Sequence, residues 1–283
     1  MRRNVKKVVT GTTQYDGAGV KLVRVIGNTT VKEFDPFLML DAFDSYDPQD
    51  YIKGFPWHPH RGIETVTYLI KGTIEHGDSL GNQGSIKSGC CQWMTAGSGI
   101  MHQEMPKEAD RMQGIQLWLN LPKKNKMAPP EYRDIKESMI PKIEEEHAKV
   151  RIISGAYKDV QSAFLGDYVK TLFLDVSVQS KEEWTLSVNN EDTLFVYIVE
   201  GDGYFGDSLS EHFEERRALL FNEGDEFSVK AGPFGIRFFL FSAKALKEEI
   251  AWGGPIVMNT QEELEAAFRD LKNGTFLKTQ NAK

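Results

Sequence analysis

Cysteine is nearly absent from this 283-residue chain: there are two, Cys90 and Cys91, and they are neighbours. Adjacent cysteines rarely reach disulfide geometry, so a disulfide framework is excluded and a reducing compartment follows, cytoplasmic, or nuclear in a eukaryote. The pair reads as small core residues. Long apolar runs are also lacking. None approaches the roughly 18 residues of a membrane span, and Met1-Arg2-Arg3 leads into polar residues where a signal peptide would place its apolar core. Positive charge is not in excess either. The net charge of −7 argues against a nucleic-acid groove, which needs clustered Lys and Arg. Arg2-Arg3-Asn4-Val5-Lys6-Lys7 is a short exception.

What the chain does contain is enough apolar side chain for a core, 40% hydrophobic against 27% charged residues, at a length that suits two domains. Strands dominate. Val20 to Gly27 alternates apolar and polar residues, Phe37 to Phe43 is a continuous apolar run, and Thr65 to Ile70 is β-branched and aromatic. Turn dipeptides Gly77-Asp78 and Gly81-Asn82 predict a hairpin between Glu75 and Lys87, and Gln113 to Pro122 alternates again. Between Pro122 and Glu145 the composition turns to Lys, Pro and Glu, which predicts a domain boundary and a division into residues 1–134 and 135–283. Strands resume at Thr171–Val178, Thr193–Glu200, Ala218–Asn222 and Ile236–Ser242. A helix is legible only near the end, where Thr260 and Glu263 form a capping box, Leu264, Ala267, Phe268 and Leu271 mark one face, and Gly274 stops it. It is expected to pack on a barrel, with a frayed tail from Lys278 on.

Histidine is scarce, yet three of the six lie in two short clusters, Trp57-His58-Pro59-His60-Arg61-Gly62 and Gly99-Ile100-Met101-His102-Gln103-Glu104. On a strand, His58 and His60 share a face, as do His102 and Glu104. Three imidazoles and a carboxylate suit a divalent first-row metal ion, and four protein ligands leave coordination positions open for a substrate. His60 and His102 stand 42 positions apart, a gap that two strands of a small barrel can close. A single His-x-His pair is more often an incidental surface feature. The second pair is what raises the metal reading above that. No other region is expected to supply competing ligands, and His147 and His212 are read as surface residues.

Gly54 to Tyr68, with its Trp57-His58-Pro59-His60-Arg61-Gly62 centre, resembles the first cupin motif in the form taken by the pirin family. Gln92 to Pro106 resembles the second motif, and Gln116 to Pro122 and Gly254 to Thr260 are further pirin-like segments. The resemblance implies an all-β bicupin of two jelly-roll β-barrels with a short C-terminal helix, and iron, Fe(II), in the N-terminal barrel alone. It implies the ligands His58, His60, His102 and Glu104. Glu64, the position at which most metal cupins place their ligand glutamate, is the chief alternative. Gly97 stands where the general motif has proline, which lets the backbone of Gly97-Ser98-Gly99 come close to the ligand strand.

The family resemblance further implies quercetin 2,3-dioxygenase activity: oxidative ring cleavage of a flavonol with O2 and loss of carbon monoxide, the hydroxyl proton going to Glu104 as catalytic base or to a metal-bound hydroxide. Phe43, Phe55 and Trp57 are candidates to line the cleft, although aromatics of this kind more often serve simply as core residues. Other first-row metals suit the same ligands. The alternative is a metal-dependent interaction protein with a regulatory protein partner, as eukaryotic pirins resemble.

Overall fold

The computed structural model describes residues 1–278, so the tail expected from Lys278 on lies, Lys278 apart, outside the described residues. The chain forms two compact units and does not divide at a single point. Among the described residues, one unit comprises residues 12–31, 37–137 and the chain from 246 on, the other residues 1–11, 32–36 and 138–245. This corrects the expected division at 134/135. The strand Val5–Thr10 pairs with Arg217–Phe221 in the second unit, and the C-terminal helix belongs to the first. Composition marks a change of character along the chain, but nothing local tells an edge strand which sheet it joins.

In the first unit, among the described residues, a seven-stranded antiparallel sheet runs in the order Glu131–Ile135, Cys91–Thr95, Ile63–Lys71, Met112–Asn120, Phe37–Ser45, Val20–Ile26, Thr12–Asp16. A four-stranded sheet has the order Phe55–His60, Ile100–Pro106, Thr73–Asp78, Gln83–Lys87. Val20, Leu69 and Met112 of the larger sheet pack with Ile74 and Ile86 of the smaller, which is how alternate residues of two sheets close a sandwich. Cys91 is fully buried in this sandwich and Cys90 half-buried, both as free thiols, and burial pushes the Cys91 thiol up. The capping box forms as expected at Thr260 and Glu263 and opens the helix Gln261–Lys272, whose Leu264 and Ala267 are buried. The segment expected to be linker holds the edge strand Glu131–Ile135, paired with Cys91–Thr95. Its Lys and Pro neighbours mask a strand of only five residues.

The second unit carries a nine-stranded sheet, among the described residues, built around the long strands Thr193–Phe205 and Glu226–Ala243. The strand expected to begin at Ile236 extends back to Glu226 through Gly232-Pro233, turn-like residues that hid its continuity. The basic N-terminus is used internally. Arg3 is almost fully buried, and its five N–H donors reach five backbone carbonyls: Nε to Gly224, Nη1 to Asp192 and Asn222, Nη2 to Asn189 and Asn190. Two loops are thereby held by one guanidinium. Arg3→Met, similar in length but without donors, is expected to destabilise the protein by about 3 kcal/mol, because it orphans several carbonyls at once. Chemical denaturation measures it, and a change under 1 kcal/mol would show that the loops hold themselves.

Candidate metal centre

The site is built on three neighbouring strands of the four-stranded sheet. Ile100–Pro106 pairs antiparallel with Phe55–His60 on one side, with His102 opposite His58 and Ile100 opposite His60. On the other side it pairs with Thr73–Asp78, with His102 opposite Asp78 and Glu104 opposite His76. Directly opposed residues of an antiparallel pair project to the same face. A bulge between His102 and Glu104 adjusts the pairing with the first strand, but both remain buried on one face.

His58, His60 and His102 come together as the alternation predicts, each offering a ring nitrogen within 4.8 Å of the others. Their hydrogen bonds define the tautomers. His58 Nδ1 lies 2.8 Å from the Pro56 carbonyl, and His60 Nδ1 3.1 Å from the Pro255 carbonyl. A carbonyl only accepts, so in each neutral ring Nδ1 carries the proton and Nε2 the lone pair. The two Nε2 atoms are 3.1 Å apart. Two facing lone pairs at that distance repel, and a shared cation removes the repulsion. His102 adds a third: it is fully buried, and neither of its ring nitrogens has a hydrogen-bond partner. Three imidazoles so arranged could hold a metal ion, and this donor set fits one.

Burial drives the His60 pKa down to about 3, helped by the nearby His58, and holds His102 well below the ordinary value for the same reason, with His60, His58 and His76 adding to it. Neutral rings are the form a metal requires. In metal-free protein these rings stay neutral when folded and take up protons near pH 6.5 when unfolded. Stability is therefore expected to fall as pH drops from 6.5 toward 3, by up to about 1.4 kcal/mol per unit for each ring. Denaturation midpoints of metal-free protein at pH 7 and pH 5 measure this. A flat profile would contradict it.

Glu104 lies outside the group of atoms within 4.8 Å. Its Oε1 accepts from Thr67 Oγ1 at 3.1 Å and its Oε2 from Gln116 Nε2 at 2.7 Å, both donors being on the larger sheet. It borders a cavity of about 30 Å³ whose apolar wall includes Phe43, Phe55 and Ile74. Phe43 and Phe55 thus sit where a cleft was expected, whereas Trp57 is half exposed and does not line it. Glu64 is buried in the larger sheet, opposite Thr95, whose hydroxyl donates to Oε1 at 2.7 Å; it too is outside the three-histidine group. His147 is partly exposed beside Glu146 and Glu182, and His212 is exposed beside Asp202, so both lie at the surface.

Two features were missed from the sequence. His76, buried and with its ring centre 5.6 Å from that of His102, belongs to a third pair, His76-Gly77-Asp78, with the same i, i+2 spacing as the other two. The signal was present but was absorbed into a hairpin of turn residues. His76 lies outside the three-histidine group, so it is a neighbour of the candidate ligands and not a competing one. The C-terminal segment also reaches the site. Besides the Pro255 carbonyl on His60, Asp270 and the Phe276 carbonyl accept from Arg61, next to His60, as does the Ser98 carbonyl. Lys126 Nζ gathers the Gly62 and Val257 carbonyls and Asn120. Gly97 is needed where it stands: its φ is +49° and a Cβ would lie 2.1 Å from the Ala128 carbonyl oxygen.

Two strand-built units in one chain, one of them carrying a histidine cluster on a buried sheet face, are the architecture of a bicupin. The Pirin family model matches residues 19–119, and that described as the Pirin C-terminal cupin domain matches residues 173–277. The chain belongs to the pirin family. It is 42% identical, over 96% of its length and 97% of the relative's, to a Pseudomonas aeruginosa protein named "Putative quercetin 2,3-dioxygenase". It is 38% identical to human Pirin, covering 92% of this chain and 90% of that one. A crystal structure described as quercetin 2,3-dioxygenase from Acinetobacter baumannii matches with a TM-score of 0.89 at 31% identity, over 98% of this chain and 99% of that one. Among the described residues no helix is long and apolar enough to cross a membrane.

Proposed function

We propose that this pirin-family protein is an iron-dependent dioxygenase that cleaves the ring of a flavonol such as quercetin with O2 and releases carbon monoxide. The observation that carries the proposal is the convergence of His58, His60 and His102, two with Nε2 lone pairs facing each other and the third with both nitrogens buried and unpartnered. His58, His60, His102 and Glu104 would hold the metal. The names carried by the Pseudomonas and Acinetobacter relatives point to the substrate class.

Bound iron would supply the Lewis acidity that makes a flavonol hydroxyl acidic and the redox capacity that O2 chemistry needs. The chain's own residues supply the rest. Glu104 accepts the proton of the 3-hydroxyl at a carboxylate oxygen, and Thr67 and Gln116 hold that carboxylate in place. Phe43 and Phe55 keep bulk water from its apolar side. The cavity there suits a molecule the size of O2 or water, so the body of the flavonol stays outside it on the side of His58, the half-buried member of the three, and only its hydroxyl end reaches Glu104.

Protein purified without added metal should contain close to one equivalent of iron and, given quercetin in air, consume O2 and quercetin equally and release carbon monoxide. Iron-loaded protein that turns over no flavonol, but captures a protein stoichiometrically and only when loaded, would replace the enzyme reading with the interaction reading.

A further inference from the structure

The third alternating pair, His76 and Asp78, carries an assignment of its own, resting on the metal-centre reading. Metal-bound histidines are normally oriented by a hydrogen bond from the ring nitrogen that does not bind the metal. His58 and His60 have that bond, to the Pro56 and Pro255 carbonyls, and His102 does not. When a metal takes one nitrogen of neutral His102, the other keeps a proton, buried and in need of an acceptor.

His76 offers one. Its Nε2 lies 3.1 Å from Asp78 Oδ2. Asp78 also accepts from the backbone N–H groups of Leu80 and Asn82 and from the Asn82 amide, so it is held as a carboxylate. A carboxylate accepts only, and His76 Nε2 must therefore donate. This leaves a lone pair on His76 Nδ1, which is buried and has no donor. The ring is fixed in plane by stacking on Tyr132, with centroids 4.3 Å apart at 16°, and sits 5.6 Å from the His102 ring. One buried ring thus has a proton to give and its neighbour a lone pair to receive it. Among the described residues, no other titratable group is hydrogen-bonded to either ring.

We propose that His76 and Asp78 are positioning residues of the metal centre: His76 Nδ1 accepts the proton on the metal-free nitrogen of His102, directly or through one buried water, and Asp78 fixes the tautomer of His76 that can do so. The arrangement orders carboxylate, imidazole, imidazole and metal along one line of hydrogen bonds. It gives His102 the same support its two partners receive from carbonyls, and it keeps the His102 ring from turning its N–H toward the metal.

Zinc, which is diamagnetic, is the probe. Competition with a chelator gives its affinity, and NMR detects the His102 ring N–H. His76→Leu is expected to weaken zinc binding about 10- to 100-fold and to abolish the slowly exchanging His102 N–H signal. His76→Asn, which can set an amide oxygen where Nδ1 stood, should restore affinity to within about threefold of the parent and keep the signal, by the acceptor logic of the amide group. Asp78→Asn keeps Oδ1 for Leu80 and Asn82 but turns an NH2 toward His76. His76 must then carry its proton on Nδ1, facing the His102 proton, and zinc affinity should fall as in His76→Leu. If His76→Leu does not fold, the contrast between Asp78→Asn and His76→Asn decides. Parent affinity in His76→Leu or Asp78→Asn, with the His102 signal unchanged, overturns the proposal and leaves the metal centre standing. A parent protein that takes up no zinc overturns both.

Discussion

His102→Ala protein is expected to fold and to retain no stoichiometric metal after dialysis, with an affinity loss well beyond the roughly 10- to 100-fold typical of changes that only support a ligand. His102 stands between the two other strands of the site, opposite His58 on one side and Asp78 on the other, so its loss breaks the three-histidine group and leaves only the two facing imidazoles of it. Folding should survive because the ring contributes little apart from the metal. Both of its nitrogens are buried without partners, a cost that alanine removes. The lost ring volume works the other way, and the two effects partly offset. The thermal midpoint of metal-free variant and parent should therefore be close, whereas saturating metal should raise only the parent's, by mass action. Elemental analysis and a thermal shift series with and without iron measure both halves. His212→Ala, on the exposed surface, serves as the control that should change neither. A His102→Ala protein that keeps a full equivalent of iron would show that the ion sits elsewhere.

The centre was legible in the sequence because strand alternation is a rigid rule: two residues two apart on a strand share a face, so His58 with His60 and His102 with Glu104 could be paired before any fold was known. What alternation cannot supply is register. That His102 lies directly opposite His58, and Glu104 opposite His76, depends on hairpin lengths and a bulge that no local pattern announces. His76 obeys the same rule and was overlooked because glycine, asparagine and aspartate around it read as a turn. Core strands such as Thr171–Val178 were visible from their apolar runs. Edge strands were not: Glu131–Ile135 is short and charged, and Val5–Thr10 finds its partner more than two hundred residues away. The Pro255 carbonyl on His60 belongs to the same class of long-range contacts, since a backbone oxygen carries no sequence signature. Alternation puts Glu104 on the same buried face as His102, but its side chain is held on Thr67 and Gln116, outside the three-histidine group.

Glu104→Gln is expected to lower kcat/KM for a flavonol by about 10²- to 10⁴-fold, the usual contribution of a positioned base. The amide is nearly isosteric and uncharged. Its oxygen can still accept from Thr67, but its NH2 then meets the NH2 of Gln116, so the side chain keeps its place less firmly and can take no proton. Two roles are assigned to Glu104 and they separate experimentally. As a ligand, its loss should lower iron content. As a base, its loss should lower turnover per bound iron, so rates must be expressed per equivalent of iron measured in the same sample. The pH dependence supplies a second separation. Without the carboxylate, the flavonol hydroxyl must ionise to bulk solvent, so the variant's rate should climb with rising pH, about tenfold per unit until the substrate is ionised, over a range where the parent's is level. Thr67→Val removes one donor from the carboxylate and leaves its charge, and should cost turnover far less than Glu104→Gln does. If Glu104→Gln turned over quercetin within about threefold of the parent per iron, proton transfer would have to be assigned to another group. The buried carboxylate would then act as a ligand alone.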